Sequence, residues 1–296
     1  MITTSIHKNL NNKNGFIIFL ISRFSRIYCV LIPGLLCIII IDLISILYDS
    51  NQYSYYSAFT FKNFFLNILM LQDFPRSNIA TSFGSARVLW TLSIEWWIYI
   101  FVGSLVFLFK TKNPLLLVLL LISFYIPMYN FFGGRGNGLF MAWIFGSFAY
   151  LVFFKTSLLN FRTSSLIFIF CSLFLLSLTH ILVFTKYYDP LFFLVFTSVV
   201  TFGLFIFLKI NISQKIKSVI RFFASYSYSL YLLHYSILDF FTSHFQINYF
   251  YFISSILISN IIALLFALVF EIKFTKYIRF KLNHISLNCK LTKLFC

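Results

Sequence analysis

Charge is what this chain has least of. Only 10% of its 296 residues are Asp, Glu, Lys or Arg, where soluble domains carry about 25%. Acidic groups are the scarcest. Asp42, Asp49, Asp73, Glu95, Asp189, Asp239 and Glu271 are the seven carboxylates, set against 23 Lys and Arg. So little polar surface cannot cover a water-soluble fold. The five cysteines show no C-x-x-C spacing and no partnering histidine cluster, so neither a metal site nor a disulfide framework is expected. Cys29, Cys37 and Cys171 lie in apolar runs and read as small hydrophobes. There is no G-x-S-x-G elbow, no H-E-x-x-H and no phosphate-cradling glycine loop, which leaves serine-hydrolase, zincin and P-loop chemistry without support. The N-terminal MITTSIHKNLNNKNG is polar and has no signal-peptide apolar core. Repeats and linkers are also missing, so residues 1–296 read as one domain.

What the chain has is apolar bulk. It is 60% hydrophobic, with 43 Phe and 18 Tyr, and its mean hydropathy is +0.92. Crossing about 30 Å of hydrocarbon takes roughly 20 apolar residues in a helix. Eight runs of that kind can be drawn, at 27–48, 88–109, 114–132, 138–154, 164–184, 190–208, 223–243 and 248–270. Segment 53–72 is weaker, because it carries Lys62 and several tyrosines. It is expected to form an interfacial or re-entrant helix. The expected fold is therefore all-α: a polytopic membrane bundle of about eight spans plus one interfacial helix.

The net charge of +16 then has a topological meaning. With a cytoplasmic N-terminus and eight spans, eighteen of the 23 basic residues fall on the cytoplasmic side. Lys62, Arg76, Arg87, Arg135 and Lys186 are left outside. That bias is the positive-inside pattern, and it puts both termini in the cytoplasm. A nucleic-acid partner is not expected, since no soluble domain carries a basic stripe. A ninth span at 53–72 would invert every later loop and destroy the bias.

Ionisable groups inside spans are functional candidates by default. Glu95 lies in LWTLSIEWWIYIF, well inside the second run. Arg87, Thr91 and Glu95 follow each other at four-residue spacing, which predicts one shared face turned into the bundle. Trp96, Trp97 and Tyr99 are then expected toward lipid or the interface. A structural ion pair explains Glu95 as readily as catalysis does. Arg23 and Arg26 form R-x-x-R just before the first run. They read either as a topology anchor or as a clamp for phosphate. Arg135, in FFGGRGNG, reads as a hairpin turn. His234, with Asp239 five residues on, and His180 read as structural histidines.

Four segments, in order, resemble acyltransferase family 3. ISRFSRIYCVLIPG resembles that family's arginine-rich approach to a span, with the proline delayed to Pro33. VLWTLSIEWWIYIF resembles its W-S-L-S-x-E-x-x-F-Y segment, with Trp90, Leu92, Ser93, Glu95 and Tyr99 in register. FFASYSYSLYLLHYSIL resembles I-S-Y-S-x-Y-L-x-H, carrying Ser227, Tyr228, Tyr231 and His234. FALVFEIKFTKYIRFKL resembles the closing segment, with Glu271 aligned and Lys273 where a proline is usual. The resemblance implies an O-acyltransferase of the bacterial cytoplasmic membrane. Such an enzyme moves an acyl group, usually acetyl, from acyl-coenzyme A to a hydroxyl of a cell-surface or secreted polysaccharide such as O-antigen. It further implies that Arg23 and Arg26 engage the coenzyme A phosphates, with no bound cofactor or metal. The family pattern puts two more spans ahead of the arginine pair, the first bearing the histidine regarded as catalytic. This sequence has neither, so it is expected to be truncated relative to the family, with Glu95 and His234 as the remaining catalytic candidates. The competing expectation is an inactive fragment or a non-enzymatic protein of a polysaccharide locus, such as a flippase or polymerase partner.

Overall fold

The computed structural model describes residues 2–12, 14–72, 79–132, 138–156, 163–183, 190–209, 213–245 and 248–288. Arg135 and its glycine-rich turn lie outside the described residues. Among the described residues, every regular element is helical. Seven of the eight apolar runs overlap a single helix each, and the run at 223–243 starts in the last residues of one short helix and continues as the next. The long helices are α2 (Gly15–Tyr48), α4 (Leu89–Thr111), α5 (Pro114–Phe132), α6 (Leu139–Thr156), α7 (Thr163–Val183), α8 (Pro190–Lys209), α10 (Ser227–His244) and α11 (Tyr249–Phe266). The smaller helices are α1 (Ile2–Asn9), α3 (Phe61–Ile68), α9 (Gln214–Ser225) and α12 (Thr275–Asn288). Four helical stretches are long and apolar enough to cross a membrane: Gly15–Tyr48, Leu89–Thr111, Pro114–Phe132 and Tyr249–His284. Shorter apolar stretches run through α6, α7 and α8.

Three expected boundaries move. α2 has 34 residues and begins at Gly15 rather than near 27, so Arg23 and Arg26 lie inside a helix and not ahead of one. The last long helix does not stop at 270. It continues through a π-helical stretch, Ala267–Phe274, into α12. Wide turns of this kind recur at functional sites, and this one contains Glu271. More than half of segment 53–72 is non-helical, and its helix α3 has only 8 residues, about 12 Å of rise. That is far short of a span. Asn63 and Asn67 on α3 bond to Ala58 O, Thr81 Oγ1 and Thr81 O, which ties the segment to the loop ahead of α4.

The core joins α2, α4 and α10. Phe19, Val30, Leu31, Leu35 and Ile38 of α2 are buried against Leu89, Leu92 and Ile98 of α4 and Leu232 and Leu233 of α10. α2 and α10 run parallel, since Gly34 meets Leu232 while Ser45 meets His244. A Cβ on Gly34 would collide with the Leu232 side chain, so the missing side chain is what lets the two helices approach. α4 packs on α5, α10 on α11, α7 on α8 and α12 on α2.

Candidate functional site

Polar side chains gather in two layers at opposite ends of α2. From Arg23 to Asp42 the helix rises about 28 Å, close to the thickness of a bilayer's hydrocarbon core.

The first layer is basic. Arg23 is 6% exposed. Its guanidinium sits 5.7 Å from the Phe19 ring centroid and 5.5 Å from that of Tyr99, a cation–π arrangement inside the bundle. Arg26, three residues on, is exposed. Arg279 of α12 comes up beside them and donates from Nε to Ser25 Oγ at 3.2 Å. The arginine pair is thus split by burial, and its accessible cation is Arg26. Glu271 accepts from the Ser229 amide at 3.1 Å and from Ser229 Oγ at 2.6 Å, and Arg26 lies within electrostatic reach of it. The π-helical stretch of the last long helix is thereby pinned to the first turn of α10.

Glu95 departs from expectation. It is exposed on α4, whereas Tyr99 is 3% exposed and donates its hydroxyl to the Glu95 carboxylate. Tyr228 stands against both, its hydroxyl buried without a hydrogen-bond partner. Arg87 does not share the Glu95 face, because α4 begins only at Leu89. Trp97 does not turn to lipid either. Its Nε1 donates to Met70 O at 2.9 Å, and Ser93 Oγ donates to the same oxygen at 2.7 Å. Ser93 thus has a backbone partner in the segment ahead of α4. Together with Trp97 it holds the chain at Met70, whose φ of 56° leaves the ordinary range. Trp90 is partly buried near the start of α4.

The α10 segment divides between two faces. Tyr228 looks toward α4. Ser227, Tyr231 and His234 follow each other at helical spacing and line a cavity of about 380 Å³ between α10 and α11. Tyr231 closes its edge by bonding across to Val88 O (3.0 Å), just ahead of α4, and to Thr91 Oγ1 in the first turn of that helix. Ser259 contributes a buried hydroxyl without a hydrogen-bond partner. His234 Nδ1 lies 3.0 Å from Leu230 O and 2.9 Å from Tyr231 O. Carbonyl oxygens only accept, so Nδ1 carries the proton. In the neutral ring, Nε2 is then the bare nitrogen. An imidazole held in that tautomer on a cavity wall can take a proton.

The second layer is acidic. Asp42, 1% exposed, accepts from the Ser85 amide at 3.1 Å. Gly84, at φ 51°, brings that loop down. A Cβ there would strike the Asp42 carboxylate, so only glycine suits both the conformation and the space. Tyr53 and Ser85 bring their buried hydroxyls beside the Asp42 carboxylate. Asp239 accepts from the Tyr55 hydroxyl at 2.7 Å, and Arg87 sits 5.7 Å over the Tyr55 ring. Burial pushes the Tyr53 and Tyr55 phenols well above their ordinary range, with the neighbouring carboxylates adding to it. Both therefore stay protonated as donors. His244 closes α10 and places Nε2 2.6 Å from Ser45 Oγ.

Several of these residues carry no local signal. Ser25 with Arg279, Ser45 with His244 and Asp42 with Gly84 are pairs that meet only through folding. Arg279 alone had a hint, in the basic run of the closing segment.

The chain matches the model of the acyltransferase domain of acyltransferase family 3 over residues 3–272, and it belongs to that family. No curated protein and no solved structure matches it. It is therefore a member of a membrane acyltransferase family, built as an all-helical bundle.

Proposed function

We propose that this protein is an O-acyltransferase of the bacterial cytoplasmic membrane that moves an acyl group, in the simplest case acetyl, from acyl-coenzyme A to a hydroxyl of a cell-surface glycan. Eight helices cross the bilayer in this reading, with both termini cytoplasmic. The basic layer then faces the cytoplasm and the acidic layer faces out. Coenzyme A carries phosphates, and the layer with Arg26 and Arg279 is the one whose charge suits them. A neutral, hydroxyl-rich acceptor suits the opposite layer, where carboxylates accept hydrogen bonds and hydroxyls gather beside them.

His234 is the residue we assign to proton transfer. It lies seven residues along α10 from Ser227 and ten before His244, so a donor arm from one end and an acceptor from the other can meet near it. The acceptor hydroxyl gives its proton to His234 Nε2 as its oxygen attacks the thioester carbonyl. The carbon–sulfur bond then breaks, and the imidazolium returns the proton to the departing coenzyme A thiolate. The observation that carries this assignment is the Nδ1–H contact to two carbonyls, which leaves Nε2 as the base. General-base help of this kind contributes about 10²–10⁴-fold.

The test is reconstitution in vesicles loaded with radiolabelled acetyl-coenzyme A. Acyl transfer to added glycan that is lost in His234→Gln, with coenzyme A binding retained, supports the reading. Full transfer by His234→Gln would remove His234 from the chemistry. Failure of the wild-type chain to bind acyl-coenzyme A at all would sink the donor assignment.

A further inference from the structure

α9 (Gln214–Ser225) reads QKIKSVIRFFAS. Ser213 caps its start, accepting from the Ile216 amide. Tyr226, at φ −123° and ψ 8°, breaks the chain before α10, so α9 is a separate helix and not the first turns of the next one. The expected apolar run at 223–243 had merged the two. With 12 residues it rises about 18 Å, too short to cross a bilayer. At helical spacing Ile216, Val219, Ile220 and Phe223 fall on one face. All four are between 53% and 56% exposed, so no part of the described chain covers that face. Lys217 and Arg221 lie on the other side and Lys215 at its edge, and the helix has no acidic residue.

Position and charge both indicate what covers the face. α8 ends just before α9 and α10 starts just after it, so α9 sits at one end of the bundle, where apolar and headgroup regions meet. A helix with an apolar stripe, and with basic but no acidic charges away from it, lies in that plane with its cations among acidic headgroups. We propose that α9 is an in-plane membrane helix whose Lys215, Lys217 and Arg221 bind anionic phospholipid. Tyr226, the pivot between the helices, donates to Asn260 Oδ1 at 3.1 Å. Asn260 and Ser227 both line the His234 cavity. A bound lipid surface thereby braces the mouth of that cavity, whatever reaction occurs in it.

Hydrogen–deuterium exchange on the full chain in nanodiscs tests this. Amides of residues 216–223 should exchange about 10- to 100-fold more slowly in discs of phosphatidylcholine mixed with phosphatidylglycerol than in phosphatidylcholine alone. The difference should vanish at high salt and in the triple variant Lys215→Gln, Lys217→Gln, Arg221→Gln. Unchanged exchange in α4 of that variant confirms that the bundle is still folded. Equal slow exchange in both lipids and in the variant would overturn the proposal, because the face would then be covered without the charges. Equal fast exchange in both would overturn it as well, because the helix would then lie in water.

Discussion

The two ends of α2 belong to one helix and have opposite chemistry. At residues 22–26 it offers arginines, joined by Arg279 from α12. At residues 42–45 it offers Asp42 and Ser45, joined by Asp239 and His244 from α10. Arginines predominate at the first end and carboxylates at the second, where Arg87 is the accompanying cation. The second end also gathers the hydroxyls of Tyr53, Ser85 and Tyr55 around its carboxylates. The difference teaches that one helix can carry two unlike polar layers about 28 Å apart without a soluble domain; under the proposed function, those layers would hold the donor and the acceptor apart.

The largest way to break that comparison acts between the two ends. His234→Gln should lower transfer by about 10²–10⁴-fold while leaving both layers intact, measured as turnover in vesicles beside coenzyme A affinity. Next comes the basic end. Arg26→Ala removes an accessible cation and should raise the KM for acyl-coenzyme A by roughly 10- to 100-fold, as loss of charge-assisted hydrogen bonds worth about 1.5–3 kcal/mol implies. Arg23→Ala should behave differently, lowering Tm through a gap beneath Tyr99, because Arg23 is packed between rings. If both arginines change KM alike and neither changes Tm, the division by burial is wrong.

At the acidic end, Gly84→Ala forces a side chain into the Asp42 carboxylate at a positive φ. It should cost about 1–3 kcal/mol of stability, read by thermal unfolding in detergent, with coenzyme A affinity unchanged. The smallest effect is Tyr55→Phe, which removes one hydrogen bond to Asp239 worth about 1 kcal/mol. Under the acceptor reading it should raise the glycan KM a few-fold and leave the acyl-coenzyme A KM alone. A change in the donor constant instead would erase the distinction between the ends.

Much of the architecture could be read from residue order. Apolar runs at 88–109, 114–132 and 248–270 became helices because twenty apolar residues have no other way to satisfy their backbone in lipid. Four ordered segments resembled one family, and the chain matches that family's model over residues 3–272. Reading by helical spacing failed at α4, where Arg87, Thr91 and Glu95 were expected to share an inward face. The helix starts at Leu89, and its surroundings turn Tyr99 inward and Glu95 outward. Spacing gives the angle between side chains on one helix but not which angle faces the core. Arg23 and Arg26 differ for the same reason: their separation is local, while the burial of Arg23 depends on Tyr99 of another helix.

By itself the sequence determined the class of the molecule, since scarcity of charge and length of apolar runs allow few solvents other than lipid. It also determined the family, through four ordered segments. Tertiary structure decided which polar residues share a layer. Asp42 meets Ser85, Tyr55 meets Asp239 and Ser45 meets His244 across 43 to 199 residues of chain. Such meetings are set by how helices pack, here by the absent side chains of Gly34 and Gly84, and no local pattern encodes them.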